Sequence, residues 1–226
     1  MKYILMDVEG TTTSISFVHE VLFPYSAERV ESFIMSQAEE EVIREILDQT
    51  KTTVLEEEHK SINEDEAIAK LISWIKTDRK HPALKKLQGM IWKTGYQAGE
   101  LKGHVYQDVP EALENWKKAG LSMGIYSSGS VEAQRVLFGH SVCGDLNHYF
   151  DNNFDTSVGP KRDVKSYFNI SSELNIDPKE ILFLSDIGEE LDAAKMAGFQ
   201  TIQLVRQDDL PYREHKQVRN FLEIKI

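Results

Sequence analysis

The chain has 226 residues, 41% of them hydrophobic and 28% charged, with 37 acids against 26 bases for a formal net charge of −11. That is enough apolar material for one domain with a large insertion or for two modest domains, while an acidic chain without a basic tract is a poor partner for nucleic acid or an anionic membrane. The lone cysteine, Cys143, excludes an internal disulfide framework, and neither a leader pattern nor a membrane-spanning apolar run is present, so a cytoplasmic globular protein is expected.

The first predicted element is a strand. The run YILMD, residues 3–7, is apolar until Asp7, and Val8, Glu9, Gly10 and three threonines follow it. From residue 14 to about 105, strand signals nearly vanish. The runs AERVESFIMSQAEEEVIREILDQ, DEAIAKLISWIKTD and ALKKLQGMIWKTGYQAGELKG repeat apolar residues at three- and four-residue spacing, the stripe of an amphipathic helix. They predict an all-helical insertion of four or five helices over 14–105. Its charge-rich stretch EEEVIREILDQTKTTVLEEEHK is read as a solvated helix face.

Beyond the insertion, helices and strands alternate. VPEALENWKKAGL has Pro110 near its first turn and Gly120 as its stop, and it leads into the strand of LSMGIYSSGS at 121–130. A helix follows from a Ser130 N-cap to Gly139. VKSYFNISSELNI and EELDAAKMAGF are further helices, and ILFLSD (181–186) and FQTIQLV (199–205) further strands. Apolar strands without clean alternation, separated by helices, predict an α/β core with a doubly wound parallel sheet over 1–13 and 106–226.

In such sheets ligands bind beyond the carboxyl ends of the strands. Asp7, the Ser127–Ser128 pair and Asp186 each stand where a predicted strand ends. An aspartate of ordinary pKa, about 4, is ionised at neutral pH and needs no base to act as a nucleophile. An anionic electrophile such as phosphate would repel it. The acidic chain offers no long-range attraction, so a phosphate site must draw on a local lysine, helix N-termini or a metal. Magnesium suits hard oxygen ligands such as Asp7 and Asp186 together with a phosphate oxygen. Glu9, when protonated, can donate to a leaving oxygen and later accept a proton from water. YSSGS offers hydroxyls and backbone N–H groups at a strand-to-helix turn, and Lys161, with Arg162 and Lys165 as neighbours, can neutralise phosphate. Each residue alone has a plain structural reading as turn acid, helix cap or solvated lysine. The set carries the weight.

In order along the chain, Asp7-Val-Glu9-Gly-Thr, Ser127-Ser128, Lys161, and Asp186 with Glu190 resemble the four motifs of the haloacid dehalogenase superfamily of phosphotransferases. The family's aromatic six residues after its lysine matches Tyr167 and selects Lys161. Glu9 stands where most phosphatases of the superfamily have Asp. With DVEGTTTSISFVHEVLFPY, LQGMIWKTGYQAGELKGHVYQDV and YSSGSVEAQRVLFGHS, the chain is similar to one branch, the enolase-phosphatases of methionine salvage. The likeness covers nearly the whole chain and is weakest over 39–70 and the C-terminal tail.

That resemblance implies enolisation and then dephosphorylation of 2,3-diketo-5-methylthiopentyl-1-phosphate by a monomer with one Mg2+ and a C1-type helical cap. It implies metal ligands at Asp7, Glu9 and Asp186, with Glu9 binding through its backbone carbonyl, and substrate contacts at Ser127, Ser128 and Lys161. Glu190 is given a supporting place. Phe17 and Trp92 are candidates for the methylthio tail, although a place in the helix core is the stronger reading of each. The alternatives are a phosphatase of the same superfamily acting on another small phosphate monoester, or a metal-independent dehalogenase, against which Glu9 counts.

Overall fold

Apolar runs that do not alternate can be stable only with both faces covered, and the chain builds that arrangement. In the computed structural model, which describes residues 1–206 and 214–226, six strands run parallel. They are β1 (Tyr3–Met6), β2 (Ser122–Tyr126), β3 (Asn152–Phe154), β4 (Ile181–Ser185), β5 (Gln200–Leu204) and β6 (Lys216–Val218). Their spatial order is β3-β2-β1-β4-β5-β6. The helices are α1 (Ile15–Phe17), α2 (Phe23–Ser36), α3 (Glu41–Glu58), α4 (Glu64–Lys76), α5 (Pro82–Gln97), α6 (Asp108–Lys118), α7 (Val131–Gly139), α8 (Val164–Leu174) and α9 (Gly188–Met196). A π-helical turn, Val18–Leu22, joins α1 to α2. None of the described helices is long and apolar enough to cross a membrane.

The chain divides into two units: Met1–Ile15 with Lys102–Ile226, and Ser16–Leu101. The first holds the sheet. Leu5 of β1 pairs with Gly124 of β2 on one side and Phe183 of β4 on the other, so β1 is central. Tyr3, Leu5, Ile181 and Phe183 pack with Tyr167 and Ile170 of α8 and Leu191 and Ala194 of α9. The alternate residues Ile4, Met6, Leu182 and Leu184 are equally buried and face the other way, the side to which the two-residue strand period sends them. Gly124 sits within β2 because a Cβ there would collide with the Tyr3 hydroxyl, which donates to Asn152 Oδ1 at 3.1 Å.

Two strands carry no sequence signal. β3 reads NNF and β6 reads KQV, with only Phe154 and Val218 buried. Each is a three-residue edge strand that forms on the free side of a stronger neighbour.

The second unit is entirely helical. Val30 and Ile34 of α2, Ile43, Ile46, Leu47 and Val54 of α3, Ala67, Leu71 and Trp74 of α4, and Leu84, Leu87 and Ile91 of α5 form one core. Asn63 caps α4 with a reciprocal capping box: it accepts from Glu66 N–H at 2.9 Å while the Glu66 carboxylate accepts from Asn63 N–H at 3.0 Å. The helical run over 27–49 proves to be two helices, broken between Ser36 and Glu41. Nothing local marks that break. The residues SQAEEE hold neither Gly nor Pro, so packing of α2 and α3 on one core sets the turn. Phe23 stacks on Trp92, whose indole N–H donates to Leu22 O at 2.9 Å. Trp92 therefore has an established place in this unit's packing.

Candidate active site

Three neighbouring strands deliver the acidic and hydroxyl groups. Asp7 follows β1 directly, and its N–H bonds Leu184 O of β4 at 2.9 Å. Ser127 follows β2 and Asp186 follows β4. The strand order reverses between β1 and β4, the switch point at which open α/β sheets bind ligands.

The loop after β1 is tightly wound. The Val8 carbonyl accepts from the N–H groups of Thr11, Thr12 and Thr13 at 3.2, 3.0 and 2.9 Å. Gly10 turns the loop at φ +81°, and a Cβ there would collide with the Asp186 carboxylate. Glycine therefore permits the close approach of the loop to β4. Thr11 fastens it: its hydroxyl accepts from Asp186 N–H at 3.0 Å and donates to Asp186 Oδ1 at 3.4 Å.

Lys161 is buried and forms ion pairs with Asp7 Oδ1 and, at 2.7 Å, with Glu190 Oε2. Glu190 also accepts from the Ser185 hydroxyl at 3.0 Å. The Tyr167 hydroxyl donates to the Lys161 carbonyl at 2.6 Å, which gives the six-residue spacing a physical cause: the aromatic fixes the lysine's own backbone. Arg162 and Lys165 are exposed. Burial disfavours the Lys161 ammonium, but Asp7 and Glu190 outweigh it and hold its pKa above the ordinary lysine value. Among the described residues, Asp7 Oδ2 has no partner. One oxygen of this carboxylate is tethered and the other is free to react.

Glu9 and Ser127 meet across the β1 and β2 loops. The Ser127 hydroxyl donates to Glu9 Oε2 at 3.1 Å and accepts from Gly129 N–H at 3.0 Å. Ser130 caps α7 through Ala133 N–H at 3.2 Å. Gln134 holds the loop from behind, donating to the Gly129 and Phe154 carbonyls at 2.8 and 2.9 Å. Ser128 is exposed.

The cluster carries more negative than positive charge. Burial pushes Asp7 well above the usual carboxylate range; Lys161 opposes this, and Glu190, Glu9 and Asp186 add to it. Burial, with Glu190 adding, pushes Asp186 up to about 6. Such repulsion in a buried place suits a cation, and the donors are all hard oxygens. Among the described residues no group of three or more His, Cys, Asp and Glu side chains converges as ligands. The Glu9 side chain is engaged by Ser127 and the Asp7 and Glu190 side chains by Lys161. The Glu9 backbone is a different matter. The Glu9–Thr13 bridge is closed by Thr13 N–H on the Val8 carbonyl and Gly10 N–H on the Thr13 carbonyl, and among the described residues no donor reaches the Glu9 carbonyl. Two carboxylates and one backbone carbonyl are thus donors that fit Mg2+.

The structure brings Lys161, Glu190, Glu9 and Asp186 within electrostatic reach of Asp7, and Ser127 joins the cluster through its bond to Glu9. Sequence reasoning missed the Glu190–Lys161 pair, the Thr11 link to Asp186, and Gln134. Gln134 grips backbone carbonyls and Thr11 accepts from a backbone N–H, and backbone groups leave no pattern in a sequence.

The parallel sheet with a lysine-paired acid at its switch point accords with the family match: the chain belongs to the haloacid dehalogenase-like hydrolase family, whose model matches residues 1–198. It is similar over nearly its full length to proteins named enolase-phosphatase E1. The one from Enterobacter sp. (strain 638) is 49% identical over 224 residues, covering 99% of this chain and 96% of that protein. Its counterpart from Picosynechococcus sp. is 50% identical over 221 residues, covering 98% and 96%. Among solved structures, the UTR4 protein of Saccharomyces cerevisiae matches with a TM-score of 0.80 and 34% identity over 99% of each chain.

Proposed function

We propose that the chain is a Mg2+-dependent enolase-phosphatase with the activity of an acireductone synthase. It enolises 2,3-diketo-5-methylthiopentyl-1-phosphate by moving a proton from C1 to the C2 oxygen, then releases phosphate and 1,2-dihydroxy-3-keto-5-methylthiopentene. The observation that carries the phosphatase chemistry is the buried Asp7–Lys161–Glu190 cluster, with one Asp7 oxygen tethered and the other free. The relatives' names support the substrate.

In this reading Asp7 Oδ2 attacks phosphorus, forming an O–P bond to the enzyme as the bond to the substrate oxygen breaks. Glu9 gives the leaving oxygen its proton and later takes one from the water that cleaves the aspartyl phosphate. Ser127 and Ser128, with the N–H groups at the start of α7, hold phosphate oxygens. Lys161 balances charge as it develops on the phosphoryl group. Asp7, the Glu9 carbonyl and Asp186 would hold Mg2+, which would supply further neutralisation of that charge. The helical unit, inserted in sequence after β1, serves as the substrate-selecting cap, and the enzyme works as a cytoplasmic monomer.

The test is turnover of the diketone phosphate against a panel of sugar phosphates, following enol absorbance and inorganic phosphate together. The diketone phosphate is expected to give the highest kcat/KM, with both signals abolished by EDTA. A sugar phosphate as best substrate would favour another phosphatase of the family, and halide release from a 2-haloacid that survives EDTA would favour a dehalogenase.

A further inference from the structure

Arg206 lies two residues beyond β5, outside every group assigned a chemical role, yet its guanidinium is among the most firmly held in the protein. Its Nε and Nη2 donate to the Thr11 carbonyl at 3.0 and 2.8 Å. Its Nη1 donates to both oxygens of Asp108, at the start of α6, at 2.8 and 2.9 Å. The ring centroids of Tyr106 and Phe221 lie 4.2 and 5.1 Å from its central carbon. Asp108 is fixed in turn, accepting from Phe221 N–H at 2.6 Å. The ion pair is nearly buried, with side-chain exposures of 7% and 14%.

What this clamp grips decides its meaning. Thr11 is fully buried, and its hydroxyl holds both the N–H and the carboxylate of Asp186. The carbonyl of the same residue is the atom Arg206 forks. A rigid path therefore runs from α6 through Arg206 and Thr11 to Asp186, all within the α/β unit. A simple stabilising ion pair would need only Asp108. The second arm, on the loop that carries Asp7 and Glu9, is surplus to that need.

We propose that Arg206 is a positioning residue for the reaction: through the Thr11 carbonyl it sets the Asp7–Thr13 loop against Asp186 and so fixes the spacing of the magnesium donors. It touches neither substrate nor metal. The inference rests on the phosphatase reading of the site, and groups that orient metal ligands are worth about 10- to 100-fold in metal affinity or activity. Arginine is required because its planar guanidinium presents separate donors to the Thr11 carbonyl and the Asp108 carboxylate, whereas a lysine offers one compact ammonium that cannot reproduce that spread geometry.

The experiment compares the parent chain, Arg206→Lys, Thr11→Val and the double variant. Unfolding midpoints, Mg2+ binding by calorimetry, and steady-state turnover of p-nitrophenyl phosphate are measured for each. Folded Arg206→Lys is expected to bind Mg2+ about tenfold more weakly and to lose kcat by about 10- to 100-fold, with KM within about twofold of the parent. Thr11→Val should shift the same quantities in the same direction. The double variant should be no worse than the weaker single one, because both cut one path. Parent-like Mg2+ binding and kcat in Arg206→Lys, or losses that add in the double variant, would overturn the proposal. So would a parent-like Thr11→Val, a result that decides the matter even where Arg206→Lys does not fold. A parent chain that neither binds Mg2+ nor releases phosphate would instead overturn the phosphatase reading.

Discussion

The two units bury very different things. In the α/β unit, Asp7, Lys161 and Glu190 lie inside together with Ser127, Ser185, Gln203 and His215. In the helical unit, the buried polar side chains among the described residues are Ser26, Thr50 and Gln88, and none is charged. Ser26 and Thr50 simply donate to the Phe23 and Ile46 carbonyls at 3.0 and 2.8 Å. Burying ionised groups costs several kcal/mol each unless they are well paired. One unit carries that cost and the other does not, which locates the chemistry before any motif is invoked. The helical unit is ordinary apolar packing, and the α/β unit spends stability on a charge cluster.

This contrast is testable, since damage to the cluster should remove activity and damage to the helical core should remove stability. Lys161→Met gives the largest effect. It is expected to lower turnover about 10²–10³-fold and to cost about 3 kcal/mol at neutral pH, because Asp7 and Glu190 are left facing each other unpaired. Parent-like kinetics would shift the role to Arg162 or Lys165. Leu71→Ala, deep in the helical core, should cost about 2–5 kcal/mol by denaturant unfolding while kcat per folded molecule stays at the parent value. A kcat loss to match Lys161→Met would erase the distinction between the units.

The pH dependence of Mg2+ stabilisation should be smaller. Asp186 titrates near 6 in the fold against about 4 when unfolded, so the fold favours its protonated form. Its stabilising contribution is therefore present below about pH 4 and is lost as pH rises through about 6. Mg2+ requires ionised ligands, so its effect on the unfolding midpoint should be slight near pH 5 and reach about 3 °C or more above about pH 7. A gain independent of pH would remove Asp186 from the donor set. Smallest of all, Asn63→Ala should cost about 1 kcal/mol through the lost α4 cap and leave turnover untouched in a phosphate-release assay.

What could be read from the letters follows from where each signal resides. β1, β2 and β4 announce themselves because strands buried on both faces need largely apolar runs, while β5, reading QTIQL, shows only its alternate apolar residues. β3 and β6 depend on a neighbour's free edge, and the Ser36–Glu41 break depends on a shared core, so neither is written locally. The same division runs through the site. Lys161 could be chosen from Tyr167 because the two residues interact through a fixed six-residue offset. Gln134 and Arg206 grip carbonyls of Gly129, Phe154 and Thr11, and a backbone acceptor has no residue type to betray it. Glu190 was legible as an acid of the fourth motif, but its pairing with Lys161 needed α8 and α9 packed on one core.

The most direct test of the central claim is to trap the enzyme-bound phosphoryl group. The protein is mixed with Mg2+ and the diketone phosphate, quenched in acid during turnover, reduced with borohydride, and digested for mass spectrometry. Borohydride converts an acyl phosphate on an aspartate to homoserine. The account predicts homoserine at position 7 and nowhere else, and its absence without substrate or in Asp7→Asn. Reduction at another carboxylate, or an unmodified Asp7 during rapid phosphate release, would contradict it.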